Sequence, residues 1–193
     1  MKIAITAIAA IAGAATASPY FTAANGQQGA SSSTAGVALA TVTLDLSGVN
    51  SWDAQFAAIN ETMSSALVAN AHVVGIGWDV NLATSSNGSW LSEATMDFAG
   101  AVFLTVGIGD DFAGSGAYSS GGIFDLAGTG LDFFLDASGL MNIEFFESFD
   151  DVALDIDATY GAGSSIQIQY EVPAPGALAM LGLGGIVAGR RRR

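Results

Sequence analysis

Acidic side chains occur in short clusters along the chain, and clustered carboxylates are the ligands that Ca²⁺ prefers. Asp110 and Asp111 stand together in a glycine-rich stretch, and Asp150 and Asp151 form a second pair further along. Ca²⁺ takes about six to eight oxygen ligands, mainly from carboxylates and from backbone carbonyls on loops. These four residues are therefore candidate ligands of a structural Ca²⁺, with a solvated acidic surface as the alternative. No cofactor is required otherwise.

Aromatic side chains offer a second kind of chemistry, because a flat ring can stack on the apolar face of a sugar. Trp52, Trp90 and Tyr118 are the candidate stacking residues. Trp90 follows the turn signal at residues 87–89, which predicts partial exposure of its ring. Trp78 falls on the apolar face of an alternating segment and is predicted to lie in the core. Burial is the common fate of large aromatic residues and is the alternative for each candidate.

No group of residues in the sequence predicts catalysis. Asp79 and Glu93 could be imagined as the acid and base of a glycosidase, but nothing fixes their spacing. His72 is the only histidine and has no serine or cysteine partner in a nucleophile motif, so a surface or strand-end position is predicted for it. The absence of cysteine excludes disulfides, thiol catalysis and thiolate metal sites. We therefore predict that the protein is not an enzyme.

The charges of the chain are strongly segregated. All 18 acidic residues lie between Asp45 and Glu171, whereas the 5 basic residues are Lys2 and the terminal run of four arginines. Binding to nucleic acid depends on cations that meet phosphate groups, so an acidic middle segment without Lys or Arg excludes it. The same surface disfavours anionic lipid headgroups and favours solubility and cation binding.

The first residues have the order of a secretory signal. Lys2 precedes an apolar run, and Ala15-Thr16-Ala17 offers a small-x-small cleavage site. Residues 1–17 are therefore predicted to be a signal peptide whose apolar part forms a helix and which signal peptidase cuts after Ala17. Residues 18–36 are rich in Ala, Gly, Ser, Thr, Gln and Asn and are predicted to be a flexible leader.

The last residues combine a proline break, a short apolar segment and a cationic stop. The break is Val172-Pro173-Ala174-Pro175, and the apolar segment runs from Gly176 to Gly189. As a helix this segment would span about 21 Å, which is short of the roughly 30 Å hydrocarbon core of a bilayer. By the positive-inside rule the cytoplasmic side would hold the basic cluster of Arg190, Arg191, Arg192 and Arg193. Residues 173–193 are therefore predicted to be a tail with a short transmembrane helix.

This tail resembles the PEP-CTERM sorting signal of Gram-negative, polysaccharide-producing bacteria, and the fixed order of its three parts carries the resemblance. It departs from the usual Pro-Glu-Pro motif at Ala174. The resemblance implies export to the outer cell surface or the extracellular matrix. It also implies processing near residues 172–175 by an exosortase, a membrane-embedded cysteine protease, after transient anchoring by the tail. A membrane anchor that is never cut is the alternative.

The middle segment, residues 37–172, alternates apolar and polar residues with period two. The alternation is clearest at 42–46, 74–82 and 166–172, and it is typical of strands with one buried and one exposed face. Shorter candidate strands, separated by Gly, Ser and Asn, are 94–98, 102–106, 122–126, 131–135, 141–146 and 152–158. Short strands with turn signals between them predict an all-β domain, an antiparallel β-sandwich or jelly roll.

Residues 52–68 and 114–116 of this segment do not follow the alternating pattern. Apolar residues recur at steps of three and four between Trp52 and Leu67, which fits an amphipathic helix. Poor helix formers are frequent there, so we predict a loop over 52–60 and a strand over 63–68 instead. The glycines at 114–116 are predicted to form a turn.

Several short segments carry a second resemblance. Residues 51–53, 74–80 and 89–93 are similar to segments of PEP-CTERM proteins from planctomycete-like bacteria. The middle segment as a whole resembles a jelly-roll module of the convertase P-domain or carbohydrate-binding type, which implies such a fold and leaves the ligand open.

The sequence therefore predicts an exported cell-surface or matrix protein with a structural or adhesive role. The alternative is a glycan-binding module that holds exopolysaccharide, and an exposed set of aromatic rings on a concave face would favour it. A pocket with two converging carboxylates would instead favour a hydrolase.

Overall fold

The computed structural model describes residues 37–85, 88–150 and 154–172. A single short three-ten helix, Ala127–Thr129, accompanies the strands in this part of the chain. The strands are β1 (Ala38–Asp45), β2 (Asn50–Ser51), β3 (Thr62–Ala66), β4 (His72–Thr84), β5 (Ala94–Phe98), β6 (Val102–Thr105), β7 (Ser115–Ser119), β8 (Phe124–Asp125), β9 (Phe133–Phe134), β10 (Leu140–Glu147), β11 (Ala158–Tyr160) and β12 (Ser165–Val172).

The larger sheet is built on β4, which is 13 residues long. One side of β4 pairs with β12 and then with β11, while the other side pairs in turn with β9, β8 and β7. β1 adds to the outer side of β12, and β2 adds to β11. Every one of these strand pairs is antiparallel.

The smaller sheet has the strand order β3-β10-β5-β6 and is also antiparallel. Its inward residues alternate with outward ones, because successive side chains of a strand point to opposite faces. Met141, Ile143 and Phe145 are the fully buried set of β10, and they meet the inward set of β4, which includes Ile76 and Val80. The two sheets therefore enclose one apolar core, and the predicted all-β sandwich is confirmed.

Trp78 lies in this core, as its position in the alternating segment predicts. On the opposite face of β4 the alternation places glycine, and a neighbouring segment needs the space. A Cβ atom added to Gly75 would lie 2.4 Å from the Cγ2 atom of Ile123. Glycine is therefore required at this position because residues 121–123 lie directly on the outer face of the strand.

Most predicted strands of the middle segment are confirmed. The predicted loop over 52–60 is also confirmed, as is the strand that follows it, which is β3. The prediction over 152–158 is wrong in its described part, because the strand begins at Ala158. Leu154 has a φ of 69°, which no regular strand contains. The predicted turn at 114–116 is wrong at Ser115 and Gly116, because Ser115–Ser119 form β7, in which Tyr118 is the one large side chain and no apolar alternation marks a strand.

The predicted strands over 122–126 and 131–135 are reduced to the two-residue strands β8 and β9. The predicted signal peptide, leader and tail, at residues 1–17, 18–36 and 173–193, lie outside the described residues. Within the described ranges, no helix has the length and apolar character needed to cross a membrane.

The strands define two ends of the sandwich. At one end, which we call the tail end, Val172 pairs with Ala38, and Glu171 pairs with His72. At the other end, which we call the distal end, Thr84 closes β4 beside Ala158. Since β4 runs from one end to the other, the residue that precedes the tail lies far from the loops of the distal end.

Candidate functional site

The distal end carries a cleft of about 570 Å³ whose rim exposes large aromatic side chains. Trp90 is 45% exposed and Phe149 is 64% exposed, so both rings are open to solvent. The cleft is lined by Trp90, Ser92, Glu93, Ile108, Asp111, Ser148 and Phe149. Its walls therefore combine apolar rings with hydroxyl groups and carboxylates.

A tight turn holds Trp90 at the rim. The Glu93 carboxylate accepts a hydrogen bond of 2.7 Å from the backbone N–H of Trp90, and the Glu93 N–H donates to the Trp90 carbonyl at 3.1 Å. The Glu93 carbonyl in turn accepts a bond of 2.9 Å from the N–H of Ser148. Glu93 is almost fully buried. It therefore ties the Trp90 turn to the segment that carries Phe149.

The opposite wall comes from residues 107–112. The backbone N–H of Leu91 donates to the carbonyl of Phe112 at 3.1 Å, and the N–H of Asp110 donates to the carbonyl of Gly107 at 2.9 Å. Phe112 is 53% exposed and directly follows Asp111 in this segment. Three segments that are distant in the sequence are thus joined by backbone hydrogen bonds around one concavity.

Tyr118 does not stack on a ligand, and the prediction of a stacking role for it is wrong. Its ring is buried, and its hydroxyl donates a 2.7 Å hydrogen bond to the Oδ2 atom of Asp110. Burial, with the bond and charge of Asp110, raises the pKa of Tyr118 well above its usual range. The pair supports the loop that presents Asp111 to the cleft.

The other predicted stacking residues are placed differently from each other. Trp52 is half-buried, and its Nε1–H donates to the Oε1 atom of Glu61 at 3.3 Å, outside the cleft. Trp90 is the one candidate that lines the cleft. The sequence did not single out Phe112 and Phe149 as its neighbours, because only the folded loops bring these residues together.

Three of the four predicted Ca²⁺ ligands, Asp110, Asp111 and Asp150, lie in the described residues at the distal end. Asp111 lines the cleft and Asp150 follows Phe149 on its rim, whereas Asp110 accepts the Tyr118 hydroxyl. Asp151 lies outside the described residues. Over 37–85, 88–150 and 154–172, no three His, Asp or Glu side chains come together as a metal ion would need. A structural Ca²⁺ stays a prediction.

Two carboxylates of the acidic clusters, Glu147 and Asp157, are buried at this end of the sandwich, and the sequence did not predict their burial. Glu147 is 1% exposed, and Asp157 is fully buried and accepts a 2.7 Å hydrogen bond from the Ser89 hydroxyl. Burial, with the charge of Glu147, raises the pKa of Tyr160 well above its usual range. Glu147 occupies an inward position of β10, which follows from the alternation with Phe145.

A second cleft, of about 500 Å³, lies towards the tail end and contains the outward carboxylates Asp97 and Glu144, which face each other on β5 and β10. Asp97 accepts bonds from Gly100 N–H and Gln55 Nε2, at 2.8 and 3.0 Å. Glu144 Oε1 accepts from Phe56 N–H and Asn60 Nδ2, at 2.7 and 2.9 Å.

Burial, with the charge of Glu144, raises the pKa of Asp97. The hydrogen bonds give both carboxylates a clear structural task, which is to hold the loop over 52–60 on the sheet.

Asp79 and Glu93, the pair considered from the sequence as a glycosidase acid and base, are not brought together. Asp79 is exposed on the outer face of β4, whereas Glu93 is buried under the Trp90 turn.

Residues 171–193 match the PEP-CTERM protein-sorting motif. The chain thus carries the signal of an exported protein that an exosortase sorts to the cell envelope or surface. No curated protein matches this chain. Glu171 and Val172, the first two residues of the match, are also the last two of β12. The other predicted processing residues, at 173–175, 190–193, Ala15 and Ala17, lie outside the described residues.

Proposed function

We propose that the sandwich is a non-catalytic adhesive module of the cell surface or extracellular matrix, and that its distal cleft binds glycan. The observation that carries the proposal is the set of exposed rings of Trp90 and Phe149 around a concavity with polar walls. Aromatic side chains with an apolar body suit the C–H faces of sugars. The hydroxyls of Ser92 and Ser148 and the carboxylate of Asp111 can bond sugar hydroxyls.

The charge of the domain selects among glycans. Residues 37–172 contain no Lys or Arg, so nothing opposes the field of their carboxylates except a single histidine. Such a field repels polymers of uronic acids and tolerates neutral sugars or amino sugars. We therefore propose a neutral or amino-sugar polymer as the ligand of the cleft.

The position of the cleft supports an adhesive role. The sorting motif begins at Glu171, at the tail end, and the cleft is at the distal end. A protein held at the envelope through its tail would therefore turn the cleft away from the membrane. A hydrolase is less well supported, since the facing carboxylates Asp97 and Glu144 are engaged in holding a loop.

Replacing Trp90 with alanine is expected to weaken glycan binding about tenfold, because the main stacking surface is lost. Binding of the purified full-length protein can be measured by calorimetry with a soluble neutral glucan, a chitosan and a polyuronate. Phe56→Ala is the matched control, because Phe56 is 81% exposed but lies outside the cleft. Equal binding by native protein and the Trp90 variant, or no binding to any of the three polymers, would refute the proposal.

Replacing Arg190–Arg193 with serine is expected to reduce retention and processing of the tail several-fold, because the cationic stop after the apolar segment is lost. Intact-mass analysis of envelope and medium fractions from the host measures the effect. A variant with four lysines keeps the charge and should be sorted like the native chain. A native mature mass that still includes the arginines would instead indicate a lasting anchor, and normal processing of the serine variant would contradict the prediction.

A further inference from the structure

We infer that His72 is a positioning residue for tail processing: its ring fixes Glu171, the first residue of the sorting motif, so that the motif is presented to the processing enzyme only from the end of β12 onward. Glu171 belongs both to the matched motif and to the folded sheet. The junction between domain and tail is therefore built by side chains of the domain itself.

The ring of His72 bridges two carboxylates. Its Nδ1 atom lies 2.9 Å from Oε2 of Glu171, and its Nε2 atom lies 2.7 Å from Oδ2 of Asp132. The ring of Phe134 stacks on the imidazole with a centroid distance of 4.1 Å and an angle of 7° between the planes. Hydrogen bonds in the ring plane and stacking across it leave the imidazole one orientation.

The strand register explains why these residues meet. His72 is the first residue of β4, where it pairs with Glu171 of β12 on one side and with Phe134 of β9 on the other. Directly paired residues share one face of a sheet, so their side chains lie side by side. Asp132 stands two residues before Phe134 and reaches the far nitrogen of the ring. The bridge therefore fastens β12 to β9 across the end of β4.

The geometry favours the protonated, charged form of the His72 ring. A neutral imidazole has only one N–H, so it can donate to only one of the two carboxylates. The imidazolium has an N–H on each ring nitrogen and can donate one hydrogen bond to Glu171 and one to Asp132. Partial burial alone would lower the pKa of His72, but the hydrogen bonds and charges of Glu171 and Asp132 outweigh it and raise the pKa above its ordinary value. No Lys or Arg occurs elsewhere in residues 37–172 to replace this cation.

The bridge acts on the last two residues of the sheet. On its outer side β12 is held by β1, where Glu171 pairs with Leu39 and Val172 pairs with Ala38. On its inner side the pairing with β4 ends at His72. Terminal pairs of a sheet open readily unless side chains hold them. With the bridge in place, Glu171 and Val172 stay paired in the sheet and are withheld from a protease.

The bridge also sets the direction of a pH response. The titratable groups that face the ring are Glu171 from β12 and Asp132 from the segment before β9. Because the folded pKa of His72 is raised, its stabilisation is fully present below the ordinary value near 6.5 and is lost as pH rises through the folded pKa. The end of β12 should therefore loosen as the pH rises through the folded pKa of His72.

The test uses the full-length protein and a glutamate-specific endoprotease, with intact mass identifying cleavage after Glu171. For the native chain we expect cleavage there about fivefold faster above the folded pKa of His72 than below it. His72→Gln should be cut fast at both pH values. Asp132→Asn should give a pH dependence intermediate between those of the native chain and His72→Gln. The matched change is Asp136→Asn, which lies after β9 and accepts a hydrogen bond from Ser138 N–H, and it should behave like the native chain.

Two further readouts separate positioning from general stability. The single imidazole gives one NMR titration curve, which should show a pKa above 6.5 in the native chain and a lower one in Asp132→Asn. In the host, His72→Gln should yield mature chains with several C-terminal residues rather than one. A native imidazole that titrates at or below 6.5, or cleavage of both variants that matches the native pH profile, would overturn the inference. If His72→Gln does not fold, Asp132→Asn decides the question.

Discussion

Replacing Phe145 with alanine should lower the free energy of unfolding of the domain by about 3–5 kcal/mol. Phe145 is fully buried in the middle of the smaller sheet, and its ring packs edge to face on Tyr160 of the larger one at a centroid distance of 5.4 Å. The substitution therefore removes a contact between the two sheets and leaves a cavity where they meet. Since domains are stable by only about 5–15 kcal/mol, this single change removes a large share of the stability.

Chemical denaturation of the full-length protein measures this loss, and Phe149→Ala is its matched control. Phe149 is 64% exposed, so the same substitution should change the unfolding free energy by no more than about 0.5 kcal/mol. The two variants also separate stability from ligand binding, because Phe149 lines the distal cleft and Phe145 does not. Equal losses in the two variants would mean that the sandwich core is not where the structure places it.

Replacing Gly107 with alanine should cost about 2–3 kcal/mol and also weaken glycan binding. A Cβ atom at this position would lie 2.2 Å from the carbonyl oxygen of Leu91 and 2.8 Å from its carbonyl carbon. Both are backbone atoms, so the clash can be relieved only by moving one wall of the cleft away from the other. The turn that holds Trp90 adjoins Leu91 and would move with it.

Gly109 in the same loop provides the control for this prediction. No atom lies within 4 Å of a Cβ added there, but its φ of 89° is unfavourable for alanine. Gly109→Ala should therefore cost only about 1 kcal/mol and leave the cleft intact. Thermal unfolding and calorimetry on both variants give the comparison. A larger loss for Gly109→Ala than for Gly107→Ala would contradict the packing of Gly107 on Leu91.

The long strands could be predicted because their signal is local. The alternation at 74–82 and 166–172 reports directly which side chains face the core, and the structure places Trp78 and Ile168 there. β7 could not be predicted in this way. Apart from Tyr118 its residues are small, and it is a strand because it pairs with residues 79–83 of β4. The signal for such a strand lies in its partner.

The candidate sites were predictable only in fragments, for a similar reason. The turn signal before Trp90 indicates exposure, but nothing local brings Asp111 and Phe149 to the same concavity. The surroundings of His72 depend on three strands whose register is set by the whole sheet. For Tyr118 the local sequence was misleading. A ring in a polar, glycine-rich stretch was a candidate for stacking on a sugar, but the ring is buried and its hydroxyl bonds to Asp110.

The pairing of β12 along its whole length has a mechanical consequence. If polymer held in the distal cleft is dragged while residue 173 is tethered, the load enters β12 at Val172 and runs parallel to the strand. The ladder bonds to β1 and β4 lie across that direction, so they resist in shear and must fail together rather than one after another. A pull that separated residues 37 and 173 would instead unzip β1 from β12 pair by pair. The domain is therefore strong in the direction in which the proposed adhesive role would load it.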